Sequence, residues 1–355
     1  MKSYGNLFDK VIDFENLWRA FRRARKGKRS RPDVAAFEYR LEGELCALRD
    51  ELAAGTYRPG PYRHFRITEP KPRIISAAPF RDRVVHHALC QVIEPIFESR
   101  FISDSYACRV GKGTHRAILR CQQLQQRFAY RMQYDIVRFF PSVDHAILIQ
   151  TIDRRVRDGR VMELVRAILA SGMAIPEESP SPLQWFPGDD LFAPLRARRL
   201  PIGNLTSQFW ANVYLDRLDH FVKEELRCRG YVRYCDDFLL FADSRAQLHE
   251  WHTRVEDCLA GLRLRLHAGR CHIVSTGQGI PFLGFRIFRD RRLLLRPGIR
   301  RFRRRLRILQ EGFAAGDVSA ARVGQSIRSW IGHAGWGNTT GLRGSVLSSV
   351  AFTRG

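Results

Sequence analysis

Three acidic residues in the sequence could do chemistry together. Asp236 and Asp237 stand side by side in the run Tyr-Cys-Asp-Asp, between two β-rich segments, and Asp135 ends an apolar run further upstream. Adjacent aspartates are also common in ordinary turns, so the pair alone decides nothing. A third acid at the end of a second strand, in a basic chain, favours a site where carboxylates converge on divalent cations.

Electrostatics restricts what such a cluster can be. Two carboxylates about 4 Å apart repel by about 4 kcal/mol at an effective dielectric of about 20, so three together require compensating cations. Mg²⁺ prefers oxygen ligands and takes part of its shell from substrate phosphates in nucleotide chemistry. We therefore expect two Mg²⁺ ions, or Mn²⁺ in their place, to serve a polynucleotide polymerase that works by in-line displacement.

The charge balance indicates the same class of partner. The chain has 355 residues, with 60 Lys and Arg against 36 Asp and Glu, and a formal net charge of +24. A compact protein of that charge repels itself unless a polyanion neutralises it, so nucleic acid is the leading partner and an anionic membrane surface the weaker one. No apolar run approaches the roughly 20 residues that span a bilayer, and acids interrupt the N-terminal apolar stretch, so we expect a cytoplasmic protein without a signal peptide.

The remaining composition narrows the class of protein further. A hydrophobic content of 45% excludes disorder as the dominant state. The eight cysteines are scattered and form no CxxC pair, which predicts buried thiols rather than a zinc site.

Periodicity predicts a mixed order of helices and strands. Apolar residues at helical spacing predict helices over 7–21, 33–54 and 81–97, and the run 231–243 predicts a strand pair that flanks the adjacent acids. The basic arm over 22–31 fits a solvated tail and a phosphate contact equally well. Nine arginines without an acid over 291–307 favour a helix that follows nucleic-acid phosphates over a merely solvated helix face.

Six segments of the chain, from about residue 60 to the C-terminus, resemble the sequence blocks of reverse transcriptases in the family's order. One such block is weak evidence, whereas six in order are specific. The blocks are residues 70–89, 101–118, 134–145, 200–222, 231–243 and 280–288.

The resemblance implies an α+β fold of the right-hand polymerase type. It has fingers, a palm with an antiparallel, ferredoxin-like sheet that carries the three acids, and a helical thumb. The implied domains are an N-terminal helix and basic arm over 1–30, fingers with the first palm elements over 31–134, a palm over 135–288, and a helical basic thumb over 289–355. A Pro-, Gly- and acid-rich loop at about 175–198 is inserted in the palm. In the thumb, Trp330 and Trp336 are expected to be core packing residues.

The fourth block indicates a subtype. Most reverse transcriptases have Gln-Gly-x-x-x-Ser-Pro there, whereas this chain has Ile-Gly-Asn-Leu-Thr-Ser-Gln over 202–208. That form is similar to the enzymes of diversity-generating retroelements, and so is the C-terminal run Ser-Trp-Ile-Gly-His-Ala-Gly-Trp-Gly-Asn-Thr. Those enzymes copy a template-repeat RNA into cDNA with frequent errors opposite adenine, in mutagenic retrohoming that diversifies a target gene. They work with a small, basic, helical accessory protein that oligomerises.

Other classes stay open at this point. A phage-defence or retron-like reverse transcriptase fits the same blocks, and so does a non-catalytic nucleic-acid-binding module with a decayed site, although the intact acids disfavour it. An intron maturase is disfavoured because the sequence shows no Cys-rich or His-rich endonuclease module.

The resemblance also implies residue roles. Asp135, Asp236 and Asp237 would be catalytic and hold the metal ions. Ile202 replaces a Gln that positions the nascent base pair, so Ile202→Gln is expected to lower misincorporation. Arg270 falls near the position of a Lys that would protonate pyrophosphate in many relatives, a role for which arginine is poorly suited because it barely titrates. Nucleotide binding is assigned to Lys71, Arg73, Phe140 (as the gate against a ribose 2′-hydroxyl), Ile202 and Gln208, and template-primer binding to Arg300, Arg301, Arg303, Arg304 and Arg307.

Overall fold

The computed structural model describes residues 2–69, 72–173, 184–267 and 269–354, apart from the side chain of Pro194. It is a mixed structure of helices and antiparallel sheets, 54% helical, which confirms the α+β class. Within these residues, no helix is long and apolar enough to cross a membrane. The division into fingers, palm and thumb, with its boundaries, stays a prediction.

The N-terminal part is helical and packs around one long helix. Asp13 interrupts the predicted helix 7–21, because its carboxylate accepts the Asn16 N–H (3.0 Å) and starts a new helix. The rings of Phe21, Phe37 and Phe80 contact one another at centroid distances of 5.2–6.1 Å. The helices are α1 (Phe8–Ile12), α2 (Phe14–Arg25), α3 (Pro32–Tyr39), α4 (Leu41–Ala54) and α5 (Phe80–Glu98).

A two-stranded hairpin leaves this helical part. It pairs β1 (Arg63–Ile67) with β2 (Arg73–Ala77) in antiparallel register. Its base is fixed to the loop before a later helix: the Ser76 N–H donates to the Ile202 carbonyl (2.9 Å), and the Asn204 side chain donates to the Ser76 carbonyl (3.1 Å). The hairpin and that loop are therefore mechanically joined.

The central sheet has four antiparallel strands in the order β4-β5-β3-β6. They are β3 (Tyr130–Asp135), β4 (Gly230–Tyr234), β5 (Asp237–Ala242) and β6 (Ile273–Ser275). Successive side chains alternate between faces, so Phe238 and Leu240 join the core of the α5 side, while Leu239 and Phe241 pack with α6 (Thr114–Arg127). Apolar contacts on both faces hold the sheet rigidly, as the positioning of a polar site at its end requires.

Five helices complete the region around this sheet. Capping residues such as Asp144 and Asp158 accept backbone N–H groups at the starts of two of them. They are α7 (Phe139–Ser142), α8 (His145–Asp153), α9 (Gly159–Ser171), α10 (Leu205–His220) and α11 (Arg245–Ala260). Residues 174–183 of the predicted insertion lie outside the described residues.

A three-stranded sheet connects to the C-terminal helices. It consists of β7 (Ile280–Phe282), β8 (Phe285–Ile287) and β9 (Arg292–Leu294), so it runs across the predicted boundary at 288/289. The helices α12 (Arg296–Ala314), α13 (Ala320–Ala334) and α14 (Thr340–Ser348) follow. Trp330 stacks on Phe302 with centroids 4.1 Å apart. Trp336 is 36% exposed and stacks on His115 of α6, so its predicted place in the thumb core is wrong: it packs outside its own helices.

The cysteines are all free thiols. Cys90, Cys121 and Cys228 are buried as predicted, whereas Cys108 is exposed. The exposed thiol lies in the loop between α5 and α6.

Candidate active site

The predicted acids meet at one end of the central sheet. Asp135 is the last residue of β3 and Asp237 the first of β5, and the two are directly opposite in the antiparallel register. Directly opposed residues of an antiparallel pair point to the same face of the sheet. Two carboxylates separated by a hundred residues of sequence therefore start from neighbouring backbone positions.

Asp236 lies in the two-residue turn between β4 and β5. The residue before it, Cys235, has a φ of 58°, and Tyr234 pairs with Asp237 across the turn. A positive φ at the first turn position is the pattern of a type II′ hairpin turn, where glycine is the favoured residue. A side chain at this position strains the backbone, so the turn that carries Asp236 depends on its surroundings.

Asp135 and Asp236 line one cavity of about 340 Å³. Burial raises the pKa of Asp236, the negative charge of Asp135 raises this pKa further, and the positive charge of Arg73 lowers it. The two carboxylates therefore interact electrostatically, and Arg73 offsets part of their repulsion. Arg73, Phe140 and Ile202 also line the cavity, as the assigned roles require.

Two of the predicted catalytic and nucleotide-binding residues lie elsewhere, and a third is not among the described residues. Asp237 does not line the cavity; its carboxylate accepts a hydrogen bond from the Gln133 side chain (3.1 Å). Gln208 is exposed on α10 and is absent from the cavity wall within the described residues, because the neighbouring positions Ser207 and Phe209 take the buried face. Lys71 lies outside the described residues.

Two basic side chains face Asp135. The Arg270 guanidinium forms an ion pair with its carboxylate, and the His267 Nε2 lies 4.0 Å from the same oxygen. The backbone N–H of His267 also donates to the Asp135 carbonyl (3.0 Å), and this hydrogen bond fixes the backbone at the end of β3. The charge of Asp135 is thus compensated by an arginine.

The donor chemistry of the cavity fits a divalent cation. Among the described residues, no group of three His, Cys, Asp or Glu side chains is gathered into an ion site. Two carboxylates, Asp135 and Asp236, nevertheless share the cavity, and their mutual repulsion is the energy that a bound cation relieves. Oxygen-only ligands suit Mg²⁺ and Mn²⁺. Arg270 already occupies one oxygen of the Asp135 carboxylate.

Phe140 and Ile202 belong to the apolar part of the wall. Phe140 packs edge-on against Phe139 with centroids 5.4 Å apart, and its carbonyl accepts the Leu200 N–H (2.8 Å). Ile202 is half-buried and has no side-chain hydrogen-bonding group. The two side chains come from different segments that this backbone contact joins.

Sequence reasoning missed two cations in the wall, Arg138 and Arg199. Arg138 has a φ of 47° in the turn between β3 and α7. The available signal was proximity, since Arg138 comes three residues after Asp135 and Arg199 three residues before Ile202. With Arg73, they make the cavity suited to an anionic ligand.

The arginines assigned to template-primer binding lie on the exposed side of α12, apart from the cavity. Buried Phe302 and Leu306 anchor the opposite side of this helix. Arg301 and Arg304 line a groove of about 540 Å³ together with Glu69, which follows β1, and Arg304 forms an ion pair with Glu69. Arg300, Arg303 and Arg307 are exposed beside the groove.

Comparison with known proteins decides the family. The family model described as "Reverse transcriptase (RNA-dependent DNA polymerase)" matches residues 67–287, which is more than half of the chain. The chain belongs to the reverse transcriptase family. The predicted family and the predicted enzyme class, RNA-directed DNA polymerase, are thereby confirmed.

The reverse transcriptase is similar to several named proteins. Protein YkfC of Escherichia coli K12 is 29% identical over 293 residues, which cover 71% of this chain and 73% of YkfC. The group II intron-encoded protein LtrA of Lactococcus lactis is 26% identical over 184 residues, 51% of this chain and 28% of LtrA. Nuclear intron maturase 2 of Arabidopsis thaliana is 26% identical over 231 residues, 52% of this chain and 31% of the maturase. The chain therefore spans less than a third of the length of these two intron proteins.

Proposed function

We propose that this reverse transcriptase synthesises DNA on an RNA template at the cavity between β2, β3 and the β4–β5 turn. The observation that carries the proposal is the convergence of Asp135 and Asp236 on one cavity, with Asp237 directly opposite Asp135. Deoxynucleoside triphosphates, the template RNA and the cDNA or primer are its substrates.

In this proposal the carboxylates bind metal ions and the basic side chains bind the triphosphate. Asp135 and Asp236, with Asp237 beside them, are the groups that would hold two Mg²⁺ or Mn²⁺ ions. Bound ions supply activation of the primer 3′-hydroxyl and stabilise charge on the leaving pyrophosphate. Arg73 binds the triphosphate from the hairpin strand β2, and Lys71 precedes it in sequence as a second cation for the same group.

The wall opposite the carboxylates provides selectivity. Phe140, which lines the cavity, acts in this proposal as the gate whose ring excludes a ribose 2′-hydroxyl by van der Waals contact. Ile202 contacts the nascent base pair without donating a hydrogen bond, so mismatched pairs are rejected less strongly. The nucleotide contact assigned to Gln208 stays a prediction, since this residue is exposed on α10 and does not line the cavity.

We further propose the diversity-generating role. The sequence Ile-Gly-Asn-Leu-Thr-Ser-Gln and the position of Ile202 in the cavity wall support it. In this role the enzyme copies a template-repeat RNA into cDNA with errors at adenine, and a small, basic, helical, oligomeric accessory protein is its partner. The exposed arginines of α12 hold the template-primer phosphates.

A second candidate function is that of an intron-type reverse transcriptase. The similarity to the group II intron-encoded protein LtrA and to the nuclear intron maturase favours it. A phage-defence or retron-like role uses the same catalytic residues. These roles differ in template and fidelity, so cDNA made on a defined RNA separates them.

Primer extension with Mg²⁺ tests the catalytic proposal. Asp236→Asn keeps the size of the side chain and removes its charge, so we expect incorporation to be lost. Asp243→Asn, an exposed acid just after the other end of β5, is the matched control and keeps wild-type incorporation. Equal incorporation by wild type and Asp236→Asn defeats the proposal. Sequencing the cDNA with and without the accessory protein then tests the adenine errors.

A further inference from the structure

The Arg233 side chain is the most deeply buried cation of the described residues, with no exposed surface. It lies on β4, three residues before Asp236. Its Nε donates to the Asp219 Oδ1 of α10 (2.7 Å), and its Nη2 donates to the other oxygen of the same carboxylate. This bidentate pair fixes the plane of the guanidinium group.

The remaining donors of Arg233 reach three different segments. Nη1 donates to the carbonyl of Cys235 (3.0 Å), inside the catalytic turn, and to the Asn212 side chain of α10 (3.2 Å). Nη2 also donates to the Ser105 hydroxyl (3.0 Å). One rigid, five-donor group thus ties the turn to α10 and to the loop before α6.

The β4–β5 turn has a strained backbone conformation at Cys235. Cys235 carries a side chain at a φ of 58°, a conformation that persists only when the surrounding structure holds it. The Cys235 carbonyl, which accepts a hydrogen bond from Arg233, immediately precedes Asp236 in the chain. A rotation of this peptide would move the Asp236 carboxylate relative to Asp135, which is anchored separately on β3.

We infer that Arg233 is a positioning residue: held flat by Asp219, it fixes the peptide between Cys235 and Asp236 so that the Asp236 carboxylate faces Asp135. The inference rests on the proposed function, because it assigns to Arg233 the geometry of that site. The simpler alternative is a buried ion pair that only stabilises the fold.

Steady-state kinetics distinguishes a positioning role of Arg233 from a purely stabilising ion pair. In Arg233→Lys the charge remains to pair with Asp219, but the planar group that also reaches Cys235 is lost. We expect kcat to fall about 10- to 100-fold, as for a displacement of a reacting group by about 1 Å, while the KM for nucleotide and the affinity for RNA stay unchanged. Tyr231→Phe is the matched control: it loses the hydrogen bond from Tyr231 to Asp219 (2.7 Å) but leaves the turn untouched. It keeps the wild-type kcat.

A rescue variant tests the strain directly. Cys235→Gly removes the side chain that opposes the positive φ, so the turn depends less on its anchor. We expect Arg233→Lys to reduce kcat several-fold less in the Cys235→Gly background than in the wild-type background. An equal loss in both backgrounds, or a wild-type kcat for Arg233→Lys, overturns the inference.

Folding is followed for every variant by circular dichroism and thermal denaturation. If Arg233→Lys does not fold, the double variant Arg233→Gln, Asp219→Asn replaces it, because it removes both charges and leaves no unpaired one. Gln is too short to reach both α10 and the Cys235 carbonyl, so the same loss of kcat is expected, and full activity overturns the inference. A wild-type enzyme without metal-dependent primer extension instead refutes the proposed function.

Discussion

The guanidinium group of Arg270 lies on the carboxylate of Asp135, at the end of β3. More than half of the Arg270 side chain is exposed, so it can swing into solvent without disturbing the core. In the function that we propose, a metal ion at Asp135 would compete with this arginine for the same negative charge. Metal binding would then be coupled to the release of the Arg270 side chain.

Removal of Arg270 is expected to tighten metal binding. Arg270→Gln eliminates the competing charge, and since an exposed ion pair contributes up to about 1 kcal/mol, the affinity for Mn²⁺ should rise by up to about fivefold. Electron paramagnetic resonance of free Mn²⁺, without RNA or nucleotide, measures it. Arg286→Gln, an exposed arginine on β8, serves as the control and leaves the affinity unchanged. Weaker binding by Arg270→Gln would show that this side chain assists the ion instead.

We expect the fidelity of copying to depend on the side chain at position 202. Ile202→Gln introduces a hydrogen-bonding group into the cavity wall, and we expect misincorporation opposite adenine to fall by about tenfold or more, with polymerisation intact. Deep sequencing of cDNA from a defined RNA provides the measurement. Ile202→Val retains an apolar side chain and keeps the wild-type error spectrum. An unchanged spectrum in Ile202→Gln excludes this residue from the control of fidelity.

The groove on α12 predicts a change in the salt dependence of binding. Each phosphate contact adds about 0.7–0.9 to the slope of log affinity against log salt concentration. Arg301→Gln should therefore weaken binding of a template-primer duplex and reduce this slope by about one such increment. Titration of a fluorescent duplex at several salt concentrations measures both. Arg322→Gln on the exposed face of α13 is the control, and an equal effect of both variants means that the groove has no special role.

Acid should destabilise the protein through His86. This residue of α5 is 2% exposed, its Nε2 has no hydrogen-bond partner among the described residues, and burial lowers its pKa to about 3. The unfolded chain has a histidine pKa of about 6.5. Between these two values the unfolded chain takes up a proton that the folded chain refuses, so the free energy of unfolding falls as the pH falls.

The variant His86→Leu removes this proton uptake. We expect its free energy of unfolding to decrease less steeply with falling pH, by up to about 1.4 kcal/mol per pH unit. Urea denaturation across the window measures the slope. His249→Leu, at an exposed position on α11, retains the wild-type slope. The same slope in His86→Leu and wild type would assign the acid sensitivity to other groups.

Local patterns in the sequence were sufficient to locate the main parts of the site. The β-rich runs around Tyr-Cys-Asp-Asp predict the β4–β5 hairpin, and the apolar run before Asp135 predicts the end of β3. Antiparallel pairing then brings Asp135 opposite Asp237. These inferences succeed because strand period and turn chemistry act over a few residues.

Contacts between distant segments could not be predicted in this way. The pairs Arg233–Asp219 and Arg270–Asp135 join residues 14 and 135 positions apart, and one sequence holds no signal for which of 60 cations meets which acid. Gln208 illustrates another limit, since a motif names a residue but not the side of the helix on which it lies. Helix α10 places this residue outward.

The hydrogen bonds between Ser76 and the segment at Ile202 and Asn204 have a mechanical consequence. Arg73 on β2 and Ile202 in the adjoining loop therefore belong to one hydrogen-bonded unit. In the function that we propose, Arg73 contacts the triphosphate and Ile202 the base pair. A substitution that shifts the hairpin is then expected to shift the loop as well, and so to change nucleotide binding and copying accuracy together.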